Sequence, residues 1–348
     1  MRALTISAHG GLEQLEYRAD LPTPEVREPT DVRIRVEAAA LNHLDLFVVS
    51  GLPNVTITPR WVVGSDGAGI VDAIGSSVTS VRPGDRVIVN PGTSCRACEY
   101  CLDGEQPLCP RYRIYGEHLP GFLAEHVVVA ERSVRRVPLI VSAEQAAAFP
   151  LATLTAWRML VSRAQVRPGE HVLIWGIGGG VALAALQIAK RFGATVWVTS
   201  GSDDKLARAR ALGADHMLNH ATEDVPRVIR EQTGKRGMDV VVDNVGEATW
   251  ARSLLALGRR GRLVTCGATS GPIVQTDVRR LFWNQWSIMG STMGNDAEFD
   301  TIAGELEAGR LLPPIDSVWP LAEGRRAYER LASGAQFGKV VVRVAPER

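Results

Sequence analysis

The chain has 348 residues, 45% hydrophobic and 22% charged, with a formal net charge of +1. That length exceeds one ordinary core and predicts two domains of a globular protein. With no long basic run and no apolar stretch of bilayer length, it argues against nucleic-acid and membrane partners and leaves a small-molecule ligand as the expectation. The opening Met1-Arg2-Ala3-Leu4-Thr5-Ile6 lacks a signal-peptide layout, so the expected location is cytoplasmic.

Residues 1 to about 150 read as β-rich with little helical periodicity. Candidate strands are Arg2–Ile6, Val32–Ala38, Gly69–Ile74, Arg86–Val89 and Glu125–Val129. His9-Gly10-Gly11, Gly75-Ser76-Ser77 and Pro83-Gly84-Asp85 supply turns between them, a pattern that predicts a small distorted barrel.

Four of the five cysteines fall together as Cys95, Cys98, Cys101 and Cys109. Four thiolates at this spacing can wrap one tetrahedral Zn²⁺ with no open position, which is the pattern of a structural site. Iron is the alternative for a four-cysteine set, and a cytosolic location argues against disulfides. Cys266 stands alone in an apolar run and reads as a small core residue.

From about Ala152 the texture changes to alternating strands and helices. The pattern turns on Val172-Leu173-Ile174-Trp175, the turn Gly176-Ile177-Gly178-Gly179-Gly180, a helix from Val181 to Lys190, and a strand Thr195–Thr199. Strand, glycine turn, helix and strand within about 30 residues form a dinucleotide-binding unit. Glycines let the backbone approach a pyrophosphate, and the helix start supplies free N–H groups. Further strands at His216–Leu218, Asp239–Asp243, Gly261–Cys266 and Trp286–Met289 alternate with helices at Lys205–Leu212, Val225–Gln232, Thr249–Leu257 and Arg279–Trp283. The fold class is therefore α/β, with a doubly wound parallel sheet of six strands. A helix near Glu298–Ala308 and a strand Lys339–Val344 close the chain.

The end of the second strand selects the dinucleotide. NAD sites usually carry an acidic residue there, for the ribose 2′-hydroxyl. Here Thr199-Ser200-Gly201-Ser202 is neutral, Ser200 and Ser202 can donate hydrogen bonds, and Lys205 can supply charge. NADP(H) is the expected cofactor. Asp203 and Asp204 follow closely and keep NAD(H) as the alternative, while Ser202 also suits a helix N-cap.

Several further motifs make the chain resemble the medium-chain dehydrogenase/reductase superfamily of zinc-binding alcohol dehydrogenases and quinone oxidoreductases. They are Asn42-His43-Leu44-Asp45, Gly64-Ser65-Asp66-Gly67-Ala68-Gly69, Pro150-Leu151-Ala152-Thr153-Leu154-Thr155-Ala156 and Phe337-Gly338-Lys339-Val340, beside the cysteine lobe and glycine turn. The resemblance implies a GroES-like catalytic domain over 1–152 with a structural-zinc lobe at about 91–112. It implies a Rossmann domain over 153–291 and a return to the catalytic domain over 292–348. It also implies one structural zinc per chain and a homodimer or homotetramer, with sixth strands paired edge to edge and Trp286–Met289 apolar enough for that seam. Thr155 resembles a threonine below the nicotinamide, and His220 falls near the adenosine phosphate. Gly176, Gly178, Gly179, Gly180 and Val181 form the phosphate turn; Asn244, Val245, Gly267, Ala268, Thr269, Ser291, Thr292 and Lys339 complete the cofactor contacts.

Zinc alcohol dehydrogenases usually have Cys at the position of Asn42, Gly-His-Glu in place of Gly64-Ser65-Asp66, and a third metal ligand near Leu151. Asn, neutral Ser and Leu are poor or impossible zinc ligands. The resemblance thus implies no catalytic zinc, and hydride transfer to a quinone or an α,β-unsaturated carbonyl, whose oxygen needs hydrogen-bond donors. Asn42 is the candidate donor, His43 a phosphate contact or proton relay, and Asp45 a residue that orients its neighbours. His118 is a further candidate at the cleft, and Trp283 and Trp286 can line it, fill a core or form a seam. An alcohol dehydrogenase or aldehyde reductase with an unusual metal site, and a nucleotide-binding protein without turnover, are the alternatives.

Overall fold

The computed structural model describes residues 1–53 and 55–345. The chain divides into two compact units, Met1–Ala152 with Gly294–Arg348, and Thr153–Met293.

The first unit is built on a seven-stranded sheet whose long central strand is Asp31–Ala40. Val32, Ile34 and Val36 alternate inward along it, and the intervening residues are half-buried, the period-2 pattern of a strand with one covered face. Asp66–Ile74 and Lys339–Arg343 pair with this strand antiparallel. The registers set Ala40 opposite Asp66 on one side and opposite Val341 on the other. The end of the central strand, the start of Asp66–Ile74 and the start of the returning strand therefore meet at one place. A smaller three-stranded sheet contains Ala3–Ile6, and the short strands Gly92–Thr93 and Arg113–Ile114 form a separate pair.

Helices missing from the sequence reading lie at this same end. His43–Ser50 is a helix with Asn42 as its N-cap, and the Asp45 carboxylate accepts the Asn42 backbone N–H at 2.7 Å. Phe47-Val48-Val49 carries strand propensity, and eight residues are too few for helical periodicity to stand out; the Asn-x-x-Asp cap was the available signal. Ala143–Ala148 is a second such helix, capped by the Ser142 hydroxyl accepting from Gln145 N–H at 3.1 Å. The strand Ile315–Pro320 and helix Gly324–Ala332 add to the elements expected in the last segment.

The second unit holds a parallel sheet of six strands, ordered His216–Asn219, Thr195–Ser200, His171–Ile174, Met238–Val242, Leu257–Thr265, Ser287–Gly290. The first strand lies beside the fourth, and that reversal opens a crevice at the carboxyl ends of the strands. Trp175, Trp197 and Trp286 are buried in its core, and the Trp286 indole N–H donates to Gly258 O at 2.8 Å. Trp286 is thus a core residue, and the strand begins one residue after it, whereas Trp283 is 78% exposed. Among the described residues, no helix is long and apolar enough to cross a membrane.

Candidate active site and metal lobe

The sulfurs of Cys95, Cys98, Cys101 and Cys109 all lie within 4.8 Å of one another. Zn–S bonds of about 2.3 Å in a tetrahedron place sulfurs about 3.8 Å apart, so the donor set fits one zinc. Backbone N–H groups of Ala97 and Cys98 donate to Cys95 Sγ at 3.4 and 3.3 Å. These bonds, Ala97's foremost, pull the Cys95 thiol down to about 5 and favour the ligating thiolate. The short strands Gly92–Thr93 and Arg113–Ile114 close the loop at its base, Asn295 Nδ2 donates to Gly104 O at 2.8 Å, and four bound thiolates would add to its cohesion.

Asn42, Ser65, Asp66 and Leu151 are brought together in the first unit, as the motifs imply. Asn42 Nδ2 donates to Asp66 Oδ2 at 2.9 Å, and the Leu151 backbone N–H donates to Asp66 Oδ1 at 2.9 Å. Asp45 Oδ1 accepts both the Ser65 backbone N–H at 3.0 Å and the Ser65 hydroxyl at 2.7 Å. Asp45 and Asp66 are fully buried. Burial pushes Asp45 up to about 6 against its bonds from Ser65 and Asn42. Burial likewise raises Asp66, opposed chiefly by Lys339.

These residues do not fit a divalent metal. Leu151 contributes only a backbone donor, the Ser65 hydroxyl is turned to Asp45, and both Asp66 oxygens are engaged. The ammonium of Lys339, 3.2 Å from Asp66 Oδ2, already supplies a positive charge there.

Lys339, a cofactor contact in the resemblance, has its ammonium on Asn42 Oδ1 at 2.5 Å and on Asp66, and its side chain is only 4% exposed. Asp45, read as part of the catalytic set, can act only through Asn42 and Ser65, since it is wholly buried. His43 is exposed on the first turn of its helix, edge-on to Phe47. His118 Nδ1 accepts the Ile114 N–H at 3.3 Å, leaving Nε2 to carry its proton.

In the second unit, Gly176 and Gly178 have φ of 67° and 134°, conformations that favour glycine. Gly179 caps the helix Gly180–Arg191, of which Val181 is the second residue, and a Cβ built on it meets nothing within 4 Å. Thr199 ties the turn to the second strand through Gly176 N–H at 3.2 Å. The cradle is open where a pyrophosphate would lie on free N–H groups. Buried polar atoms without partners stand at the same edge of the sheet: His220 Nδ1, Asn244 Oδ1 and Ser291 Oγ. Together they fit a dinucleotide.

Ser200 Oγ accepts the Ser202 N–H at 3.1 Å, and Ser202 caps the helix Asp203–Ala211 by accepting from Lys205 N–H. The Asp203 carboxylate accepts the Asn219 amide at 2.7 Å. Asn244, Val245 and Gly246 follow the fourth strand, and Gly267, Ala268 and Thr269 follow the fifth; Ser270 N–H to Val245 O at 2.8 Å joins the two loops. Thr292 follows Ser291 at the end of the sixth strand, and Thr155 is buried in the helix Pro150–Trp157.

Comparison with known proteins agrees with this architecture. Residues 28–139 match the alcohol dehydrogenase GroES-like domain and residues 180–308 the zinc-binding dehydrogenase family. A zinc-type alcohol dehydrogenase-like protein of Schizosaccharomyces pombe is 32% identical over 96% of both chains. A quinone oxidoreductase of Pseudomonas aeruginosa is 33% identical over 98% of this chain and 99% of its own. A solved structure described as an NAD-dependent alcohol dehydrogenase is 46% identical, with TM-score 0.94 over 99% of this chain and 100% of that one. The chain belongs to the medium-chain dehydrogenase/reductase superfamily and is an oxidoreductase of that family.

Proposed function

We propose that the protein is an NAD(P)H-dependent reductase, preferring NADPH, that delivers hydride to a quinone or to the β-carbon of an α,β-unsaturated carbonyl without a catalytic zinc. The observation that carries this reading is the cluster around Asp66, whose carboxylate oxygens accept hydrogen bonds from Asn42, Leu151 and Lys339 rather than standing free for a metal. A bound dihydronicotinamide would supply a hydride, with its two electrons. The acceptor's π electrons move onto its oxygen, and a proton from solvent completes the reduction. Asn42 Nδ2–H is the donor offered to that oxygen, a role that needs no Lewis acid. The neutral end of the second strand, and an Asp203 carboxylate drawn to Asn219, favour room for a 2′-phosphate. As assembly we propose a homodimer, or a homotetramer made of two such dimers, through the exposed edge strand Ser287–Gly290.

The test is NADPH and NADH oxidation with a panel of quinones, enones and aldehydes, beside zinc analysis and both cofactor dissociation constants. One zinc per chain, reduction of quinones or enones, and tighter NADPH are expected. Two tightly bound zinc ions, or NADH bound more tightly, would overturn the corresponding part. The 46% identity to a protein described as an NAD-dependent alcohol dehydrogenase favours alcohol oxidation as the second reading. Turnover of simple alcohols with NAD⁺ would establish that one. Cofactor binding with no turnover of any acceptor would favour a non-catalytic nucleotide-binding protein.

A further inference from the structure

The cluster around Asn42 contains a buried cation for which the reaction above has no role. Lys339 is among the side chains least often buried, and an unpaired ammonium at 4% exposure would be costly. Its partner Asp66 is buried in turn and held from the far side by Leu151 N–H at 2.9 Å. Between the two lies the Asn42 carboxamide. An ammonium only donates and a carboxylate only accepts, so the amide has one satisfied orientation. Its oxygen faces Lys339 Nζ at 2.5 Å, and its nitrogen faces Asp66 Oδ2 at 2.9 Å. Asp45 fixes the Asn42 backbone N–H at 2.7 Å, so main chain and head group are both pinned. The second Nδ2–H has no acceptor among the described residues.

We propose that Lys339 is a positioning residue. It locks the Asn42 carboxamide so that this second N–H points, already oriented, at the substrate oxygen that gathers charge, and it polarises the amide as it does so. The inference rests on the reductase reading for its catalytic consequence, but not for the orientation itself. Bonds to both the oxygen and the nitrogen of the amide strengthen one another and remove the cost of reorienting it during reaction.

Two measurements test it. In steady-state kinetics, Lys339→Met lowers kcat about 10–100-fold, while acceptor KM and cofactor Kd stay within about 3-fold. Asn42→Ala gives a similar loss, and Lys339→Met in the Asn42→Ala background adds less than about 2-fold, since the lysine acts through the amide. Losses that multiply, an unchanged kcat, or a matching rise in cofactor Kd would each overturn the proposal. Because Lys339→Met strands a buried carboxylate, Lys339→Met with Asp66→Asn is made alongside it; this pair removes both charges and still lacks the Asn42 Oδ1 donor.

The second measurement needs no substrate. The full-length protein is labelled with ¹⁵N-asparagine, and the Asn42 carboxamide pair is assigned by its loss in Asn42→Ala. In the native protein the two signals should be well separated, and the proton bonded to Asp66 should be slow to exchange with water. In the lysine variants exchange should rise at least about 10-fold. An unchanged pair overturns the proposal. If the native protein reduces no acceptor, the reductase reading fails, and this spectrum still decides whether Lys339 sets the amide.

Discussion

Asp243 offers the sharpest test of how the fold holds its nucleotide edge. It follows the fourth strand of the six-stranded sheet and is fully buried. Its Oδ1 accepts the backbone N–H groups of Val245 at 3.0 Å and Gly246 at 3.1 Å, and the carboxylate also takes the hydroxyls of Thr249 at 2.8 Å and Ser253 at 2.6 Å. Asp243→Ala strands all four donors. The hydroxyls can rotate, and Thr249 already lies 3.2 Å from Gly246 O. The two backbone N–H groups cannot turn, least of all at Gly246 with φ of 89°. At about 1–3 kcal/mol for each buried donor left unpaired, the loss should be about 2–6 kcal/mol. Asp243→Asn keeps one acceptor oxygen and should lose about 1–2 kcal/mol. Urea unfolding followed by tryptophan fluorescence measures both. Dinucleotide titration of the folded variants should show binding weakened about 10-fold, because Asn244 and Val245 lose their anchor. An Asp243→Ala protein within about 0.5 kcal/mol of the native one would refute the reasoning, since the described donors would then be satisfied elsewhere.

Gly179→Ala separates folding from binding: φ of −80° and empty surroundings tolerate the methyl, so thermal stability should hold while dinucleotide Kd rises at least about 10-fold as the Cβ enters the phosphate cradle. Cys109→Ser should drop zinc well below one ion per chain and advance thermal unfolding; full zinc content in that variant would show that the fourth thiolate is no ligand. Trp197 Nε1–H donates to His171 Nδ1 at 3.0 Å, a bond that only neutral His171 accepts, and burial lowers its pKa from 6.5. The unfolded chain therefore takes up the proton first, and stability falls as pH drops from 6.5 through the lowered folded value. In urea titrations the native-minus-His171→Gln difference should shrink over that interval; a flat difference would refute the assignment. Val278, Phe282 and Trp283, on the helix that precedes the edge strand, are at least 63% exposed, so with the proposed assembly Trp283→Glu should shift the particle to a monomer in light scattering, and an unaltered mass would remove that seam.

Much of the second unit was legible in advance because its signals are local. Glycines in the first turn and apolar runs of four to six residues predict strands and turn whatever surrounds them. All six strands lie where periodicity puts them, displaced by a few residues at their ends. The cysteine lobe was legible for a related reason: ligand spacing within one short loop already restricts geometry. The helix His43–Ser50 was not, because Val48 and Val49 owe their helical state to burial in the first unit's core, not to their own propensity.

Residue identity alone determined the two textures of the chain, the four thiolates, the glycine turn, and the poverty of metal ligands at Asn42, Ser65 and Leu151. Only the tertiary structure decided which charge stands beside Asn42 and Asp66. Lys339 stands 297 residues from Asn42 along the chain, yet strand register delivers its ammonium to that amide. A pairing across such a separation leaves no periodicity or spacing to read. It exists because two antiparallel strands flank the end of a third, and because a buried carboxylate there demands a counter-charge.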